Sequence, residues 1–295
     1  MNVRTTPLAA AAALALAACA TDPASPVAGS TLKPTGRLAL AMNEAGSVVV
    51  TEDDIARQAE NTPPTNNWVL YTRAAGNATF RSGPATPPAG VGSLEFVTPT
   101  GADKVYLFNY DHVQATLASI TGMGYSTYRA AGEAQQVAAL NLQVDVNGAA
   151  AGGFTTLVFE PVYNTLQGAV VSGQWQSWDA YSGGNAIWWS SNPIPGAPNR
   201  DTFVSWNTIK QNNPDAVIVG GVGVNQGSGN NALTTAVDNF TLARSGETVT
   251  YNFEPYRVAA NVESCKNGGW MSLKDSEGDS FKNQGDCVSY VASKR

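Results

Sequence analysis

The chain has 295 residues, a formal net charge of −6 and only 14% charged side chains. No run of clustered Lys and Arg occurs, which argues against a nucleic-acid partner and against strong attraction to anionic lipid. Twenty-nine glycines, seven tryptophans and many Asn and Thr fit one large β-rich extracellular domain with appendages better than a helical cytosolic enzyme.

The first segment, MNVRTTPLAAAAALALAAC, carries Arg4 and then an apolar run from Leu8 to Ala18. That run is too short to span a bilayer and has the form of a secretory h-region. Its end, Leu16-Ala17-Ala18-Cys19, resembles the bacterial lipobox. The resemblance implies a signal peptide over residues 1–18, cleavage before Cys19, and acylation of that cysteine, palmitate included. Several acyl chains give stable anchoring, so membrane attachment would be through the N-terminal lipid. Ala20 stands where an aspartate would favour inner-membrane retention, so the expected location is the outer membrane or cell surface of a bacterial envelope. Ordinary cleavage within Ala18-Cys19-Ala20, releasing the protein to the periplasm or medium, is the alternative.

Residues 19–35 are rich in Pro, Ala, Ser and Thr and read as a tether. Residues 36–66 read as an N-terminal extension: a hairpin-like piece, then one or two helical turns in TEDDIARQAE, ended by NTPPTNN. From Trp68 the pattern turns to short strands. In LNLQVDV, Leu140, Leu142, Val144 and Val146 alternate with Asn141, Gln143 and Asp145, giving one buried and one wet face. Asn147-Gly148, Gly183-Gly184 and Ser245-Gly246 supply turn chemistry between strands. DTFVSWNTIKQNNPD predicts one helix, capped by Asp201 or Thr202, with Phe203, Trp206 and Ile209 near one face and Pro214 as its stop. About ten short strands with one short helix predict an all-β fold, an antiparallel sandwich.

Residues 67–256 resemble the β-jelly-roll domain of secreted bacterial proteins, similar in layout to carbohydrate-binding modules. The residues that carry the likeness are Trp68, Gly90-Val91-Gly92-Ser93-Leu94, Ile218 to Val224, and Val237-Asp238-Asn239-Phe240-Thr241-Leu242. The resemblance implies a possible structural calcium, with Asp238 as a ligand.

Residues 257–295 hold two of the three cysteines, Cys265 and Cys287. With Cys19 assigned to lipid, these two are left as a pair in an oxidising compartment. A disulfide would close a loop of about 22 residues and contribute about 3 kcal/mol in the chain-entropy model. Two cysteines with no nearby histidine make a poor zinc site, the other reading. The pair brackets Lys266-Asn267-Gly268-Gly269 and Lys282-Asn283-Gln284-Gly285, which suggests a stapled hairpin packed by Trp270 and Phe281. The tail also resembles a short tail of uncharacterised bacterial secreted proteins.

Catalytic candidates are few. His112 is the one histidine, so a histidine-based metal cluster is ruled out by count and a Ser-His-Asp triad would have to use it. Carboxylate pairs of the glycosidase kind would draw on Glu160, Asp179, Asp238 or Glu254; Glu160 and Glu254 stand in twin Phe-Glu-Pro phrases, whose other reading is a strand ended by Pro with the acid solvated at the rim. Aromatics are the more suggestive feature. Trp175, Trp178, Tyr181, Trp188 and Trp189 fall within fifteen residues among polar side chains. They are either core or a ligand platform; strand parity puts Trp188 and Trp189 on opposite faces, and likewise Trp175 and Trp178. The expected function is a surface-anchored, non-catalytic binding module that recognises glycan. The alternatives are a structural or adhesive envelope protein with a protein partner, or a carboxylate-based glycoside hydrolase.

Overall fold

The protein is described here from a computed structural model covering residues 47–132, 135–148 and 152–294. The expected signal peptide, Cys19 and the tether lie outside the described residues. With strands numbered along the chain, the larger sheet has eight. Their order is β12 (Val204–Ser205), β11 (Ile187–Ser190), β9 (Phe154–Phe159), β8 (Ala139–Asp145), β13 (Val217–Gln226), β6 (Lys104–Asn109), β3 (Trp68–Arg73) and β2 (Ile55–Ala59). The smaller sheet has seven. It runs β1 (Ser47–Val50), β15 (Glu247–Phe253), β14 (Leu233–Arg244), β5 (Gly92–Thr98) and β4 (Asn77–Ser82), with β7 (Ile120–Ala131) also on β14 and β10 (Trp175–Asp179) on β7.

The sheets stack as a sandwich because each strand has one apolar parity. Leu140, Leu142 and Val144 of β8 face inward beside Val222 and Val224 of β13, Leu157 and Phe159 of β9, and Val105 and Leu107 of β6. Leu94, Phe96, Val237, Phe240 and Phe253 meet them from the smaller sheet. Turn chemistry works as the sequence suggests: Ser245 (φ 52°) and Gly246 (φ 86°) join β14 to β15 in a two-residue turn with both φ positive.

Most strand pairs are antiparallel, but β1 pairs β15 and β2 pairs β3 in parallel. Both come from the segment expected to form a separate extension. The hairpin-like piece expected from Gly36 lies mostly outside the described residues, while TEDDIARQAE forms a 3-10 turn and a strand in place of the expected helical turns. One 3-10 turn, Glu52–Asp54, closed by a capping box between Thr51 and Asp54, sends β1 to one sheet and β2 to the other. The open edges of β15 and β3 offer these two short strands backbone partners.

The predicted helix is α1 (Trp206–Asn212), shorter than expected and capped by Ser205, whose side chain accepts from Thr208 N. Trp206 and Ile209 are buried; Phe203 precedes the helix and is 37% exposed. A second helix, α2 (Gln284–Ser293), corrects the reading of the tail. Cys265 and Cys287 do form the disulfide, and Phe281 is buried with them and Val291 in a small separate core, against which Trp270 packs. The two limbs are not a hairpin. The first phrase enters a 3-10 turn through Asn267 (φ 52°) and Gly268 (φ 85°). In the second phrase Asn283 caps α2, accepting from Asp286 N, a pattern that starts helices. The tail is tied to the sandwich by Arg257, which pairs with Asp54 and donates to Thr51 Oγ1.

Candidate functional site

Inward parity on the larger sheet leaves the opposite parity facing out. The outward residues follow one cross-strand row: Val69 on β3, Phe108 on β6, Gly223 on β13, Asn141 on β8, Val158 on β9 and Trp189 on β11, each paired with the next. At the usual strand spacing this row spans about 24 Å. A second row places Tyr71, Tyr106, Asn225 and Ala139 side by side, and Gln143 and Thr156 pair on the flank.

The two ends of this face differ in chemistry. At the β3–β6 end, Tyr71 stacks on Tyr106 with centroids 4.8 Å apart, Tyr106 tilts against Phe108, and the Tyr71 and Tyr110 hydroxyls hydrogen-bond each other. Burial raises the Tyr71 phenol above its usual range, so it stays a neutral donor. Glu60 accepts from both Arg73 and Lys104 at the rim. This end is a closed aromatic wall.

The middle is polar. Among the described residues, Asn141 Oδ1, Asn225 Oδ1 and Thr156 Oγ1 are buried and have no hydrogen-bond partner. Their residues are 8%, 6% and 5% exposed, and β13 contributes only a glycine, Gly223, between Phe108 and Asn141. A buried unpaired acceptor costs about 1–3 kcal/mol, so three on adjacent strands of one face call for an explanation.

At the β11 end, Trp189 donates its indole N–H to Glu160 Oε2 at 2.7 Å, and the Arg200 guanidinium lies over the indole, 4.7 Å from its centroid. Burial pushes the Glu160 carboxyl up, while the Trp189 N–H and the Arg200 charge act against it.

The five aromatics expected to share a platform do not share a surface. Trp178 and Trp188 are core, 2% and 0% exposed, with their N–H groups donated to Thr127 Oγ1 and Ala180 O. Trp175 is half-buried and paired with Tyr128 on the outer parity of the smaller sheet, donating to Pro84 O. Tyr181 packs on Trp206 and accepts from Lys210 Nζ. Only Trp189 lies on the face just described, and there it is buried as well, 6% exposed beside Ala139 and Val158. Parity separated Trp188 from Trp189 correctly, but adjacency in sequence was a poor guide to adjacency in space.

Asp238 does not sit in a cation site. Its oxygens accept from Phe253 N and Ala89 N. Glu254 beside it accepts from Val91 N, with Gly92 N as a further donor. Calcium requires six to eight oxygen ligands, and this pair is surrounded by N–H donors instead. Among the described residues no group of three or more His, Cys, Asp or Glu could hold a metal. The two carboxylates anchor the loop between β4 and β5. Gly90 is required there, because with φ +57° any Cβ would fall 1.4 Å from Glu254 Oε1. Burial pushes both carboxyls up to about 7.

The hydrolase carboxylates do not converge on one cleft. Glu160 borders the outer face of the larger sheet, Asp179 accepts from Tyr181 N and Ser182 N in a turn after β10, and Asp238 and Glu254 lie under the β4–β5 loop. His112 is buried against the Tyr251 hydroxyl, and burial pushes its imidazole down to about 4.

The sequence did carry signals for this outer face. KVYLFNY places Tyr106, Phe108 and Tyr110 on one parity and Val105 and Leu107 on the other. The wet parity of LNLQVDV contributes Asn141 and Gln143 to the same face.

No family model matches the sequence, and no curated protein matches it. Among solved structures, a family 11 carbohydrate-binding module from Clostridium thermocellum, in complex with a β-1,3-1,4-mixed-linked tetrasaccharide, is similar. The alignment covers 61% of this chain and 91% of that one, at 11% identity and a TM-score of 0.36. At that score the likeness says nothing about which residues of this chain bind.

Proposed function

We propose that the outer face of the larger sheet binds glycan. The observation that carries this reading is the run of unpartnered polar atoms, Asn141 Oδ1, Asn225 Oδ1 and Thr156 Oγ1, set between an aromatic wall and Trp189. Sugars offer hydroxyl donors to acceptors and apolar ring faces to aromatics, and a few fixed polar groups among aromatic side chains is the composition of such sites. A row about 24 Å long suits an oligosaccharide lying across the strands better than a single sugar. No carboxylate pair is used, so the reading is a binding module. Together with the expected acylation of Cys19, it makes the protein a lipid-anchored envelope component that holds polysaccharide.

The test is a glycan array probed with residues 20–295, followed by titration of any hit with Asn141→Ala and Trp189→Ala. Both variants are expected to weaken binding about tenfold or more, the effect of losing one hydrogen bond or one aromatic contact. A blank array with folded protein would sink the proposal and favour the envelope-scaffold alternative.

A further inference from the structure

Trp189 and Arg200 close the β11 end of the face; the Arg200 charge offsets the buried Glu160 carboxyl, but that long-range role leaves its N–H fork without an acceptor among the described residues. Among the described residues Arg200 makes no hydrogen bond and no ion pair; its contact is the Trp189 ring. A guanidinium carries five N–H donors in a planar fork and no acceptor. The plate beneath it is held in place, because the indole N–H is spent on Glu160 Oε2 and the ring packs with Ala139 and Val158. Glu160 Oε1 accepts no hydrogen bond from a described residue. On the same cross-strand row, Asn141 Oδ1 is buried and unpartnered two strands away.

We infer that Arg200 on Trp189 is a subsite for the carboxylate of an acidic sugar, a uronic acid unit within the bound glycan; this rests on the glycan-binding reading of the face. The fork of Arg matches a carboxylate in a two-bond geometry that neutral hydroxyls do not supply. The sugar's neighbouring hydroxyl meets Glu160 Oε1, which can only accept when ionised. The protein's net charge of −6 works against dense polyanions such as sulfated chains. A single positive group on an aromatic plate therefore selects isolated carboxylates.

The experiment compares matched neutral and uronic acid oligosaccharides, titrated against the folded protein at low and moderate salt. Wild type is expected to bind the acidic member about tenfold more tightly than the neutral one, with the difference shrinking as salt rises. The ratio of the two affinities within Arg200→Gln is expected to fall to about one, and Arg200→Lys to keep part of the preference, since charge persists without the fork. Because the readout is a ratio within each variant, a general loss of affinity does not imitate it. Binding of both glycans with equal affinity by wild type, or a preference untouched in Arg200→Gln, overturns the inference and leaves the glycan reading standing. Failure of wild type to bind either glycan overturns both.

Discussion

The outer faces of the two sheets are built from similar residue types and end in opposite states. On the smaller sheet the polar groups find partners within the protein. Ser126 and Ser177 hydroxyls bond across β7 and β10, Thr241 and Thr250 across β14 and β15, and Asp238 and Glu254 take the N–H groups of the β4–β5 loop. Asn252 Oδ1 is an exception. On the larger sheet Asn141, Asn225 and Thr156 each leave a buried oxygen without one. Polar groups that satisfy each other hold a loop or a strand; those left waiting lower stability and are retained where something else pairs them.

The comparison can be broken first at the tryptophan pair of β11. Trp188→Ala should cost about 3–5 kcal/mol in urea unfolding, because the ring fills the core against Phe159 and Trp206. Trp189→Ala should cost less stability, since its buried ring packs in a small cluster with Ala139 and Val158 and not in the main core, while losing ligand. Equal costs would mean the outer face is packed as core and the two-face distinction fails.

Next comes pH. Asp238 and Glu254 hold folded-state values of about 7 against ordinary carboxyls near 4. Between those limits each of these two carboxyls binds more protons folded than unfolded, so each contributes stability that falls as pH rises from about 4 to about 7, by up to about 1.4 kcal/mol per pH unit, while His112, pushed down to about 4, works in the opposite direction. Thermal unfolding across that range checks it. Glu254→Gln should remove one downward contribution, so that its stability between pH 4 and 7 gains on that of wild type as pH rises, and a difference between the two that does not change with pH would contradict the buried placement of Glu254.

The smallest effect is the sharpest discriminator. Ser126→Ala removes one half of a satisfied pair and should destabilise by about 1 kcal/mol. Asn141→Ala removes an acceptor that has no partner, so stability should hold or rise by up to about 1 kcal/mol while glycan binding drops. Chemical denaturation of the two variants side by side measures the difference, and destabilisation of the same size in both would show Asn141 to be structural.

Much of the strand content was legible because alternation is local. Leu140 to Val146 announced both faces of β8, and Ser245-Gly246 announced a turn. The site was only half legible. Asn141, Tyr106 and Phe108 were visible as outward residues of separate strands, but nothing local says that β8, β13 and β6 are neighbours. The cluster from Trp175 to Trp189 misled because β10 and β11 belong to different sheets.

What the sequence alone determined is the all-β class, the two faces of β8, the opposite facing of Trp188 and Trp189 and the place of α1, all consequences of spacing along the chain, and the Cys265–Cys287 pair, which follows from cysteine count. What only the tertiary structure decided is which outward residues meet. That depends on strand order and register, set by long-range backbone pairing and by burial of the opposite face. The same long-range choice turned residues 47–59 into parallel edges of two sheets, and local capping at Asn283 made a helix of the tail's second half.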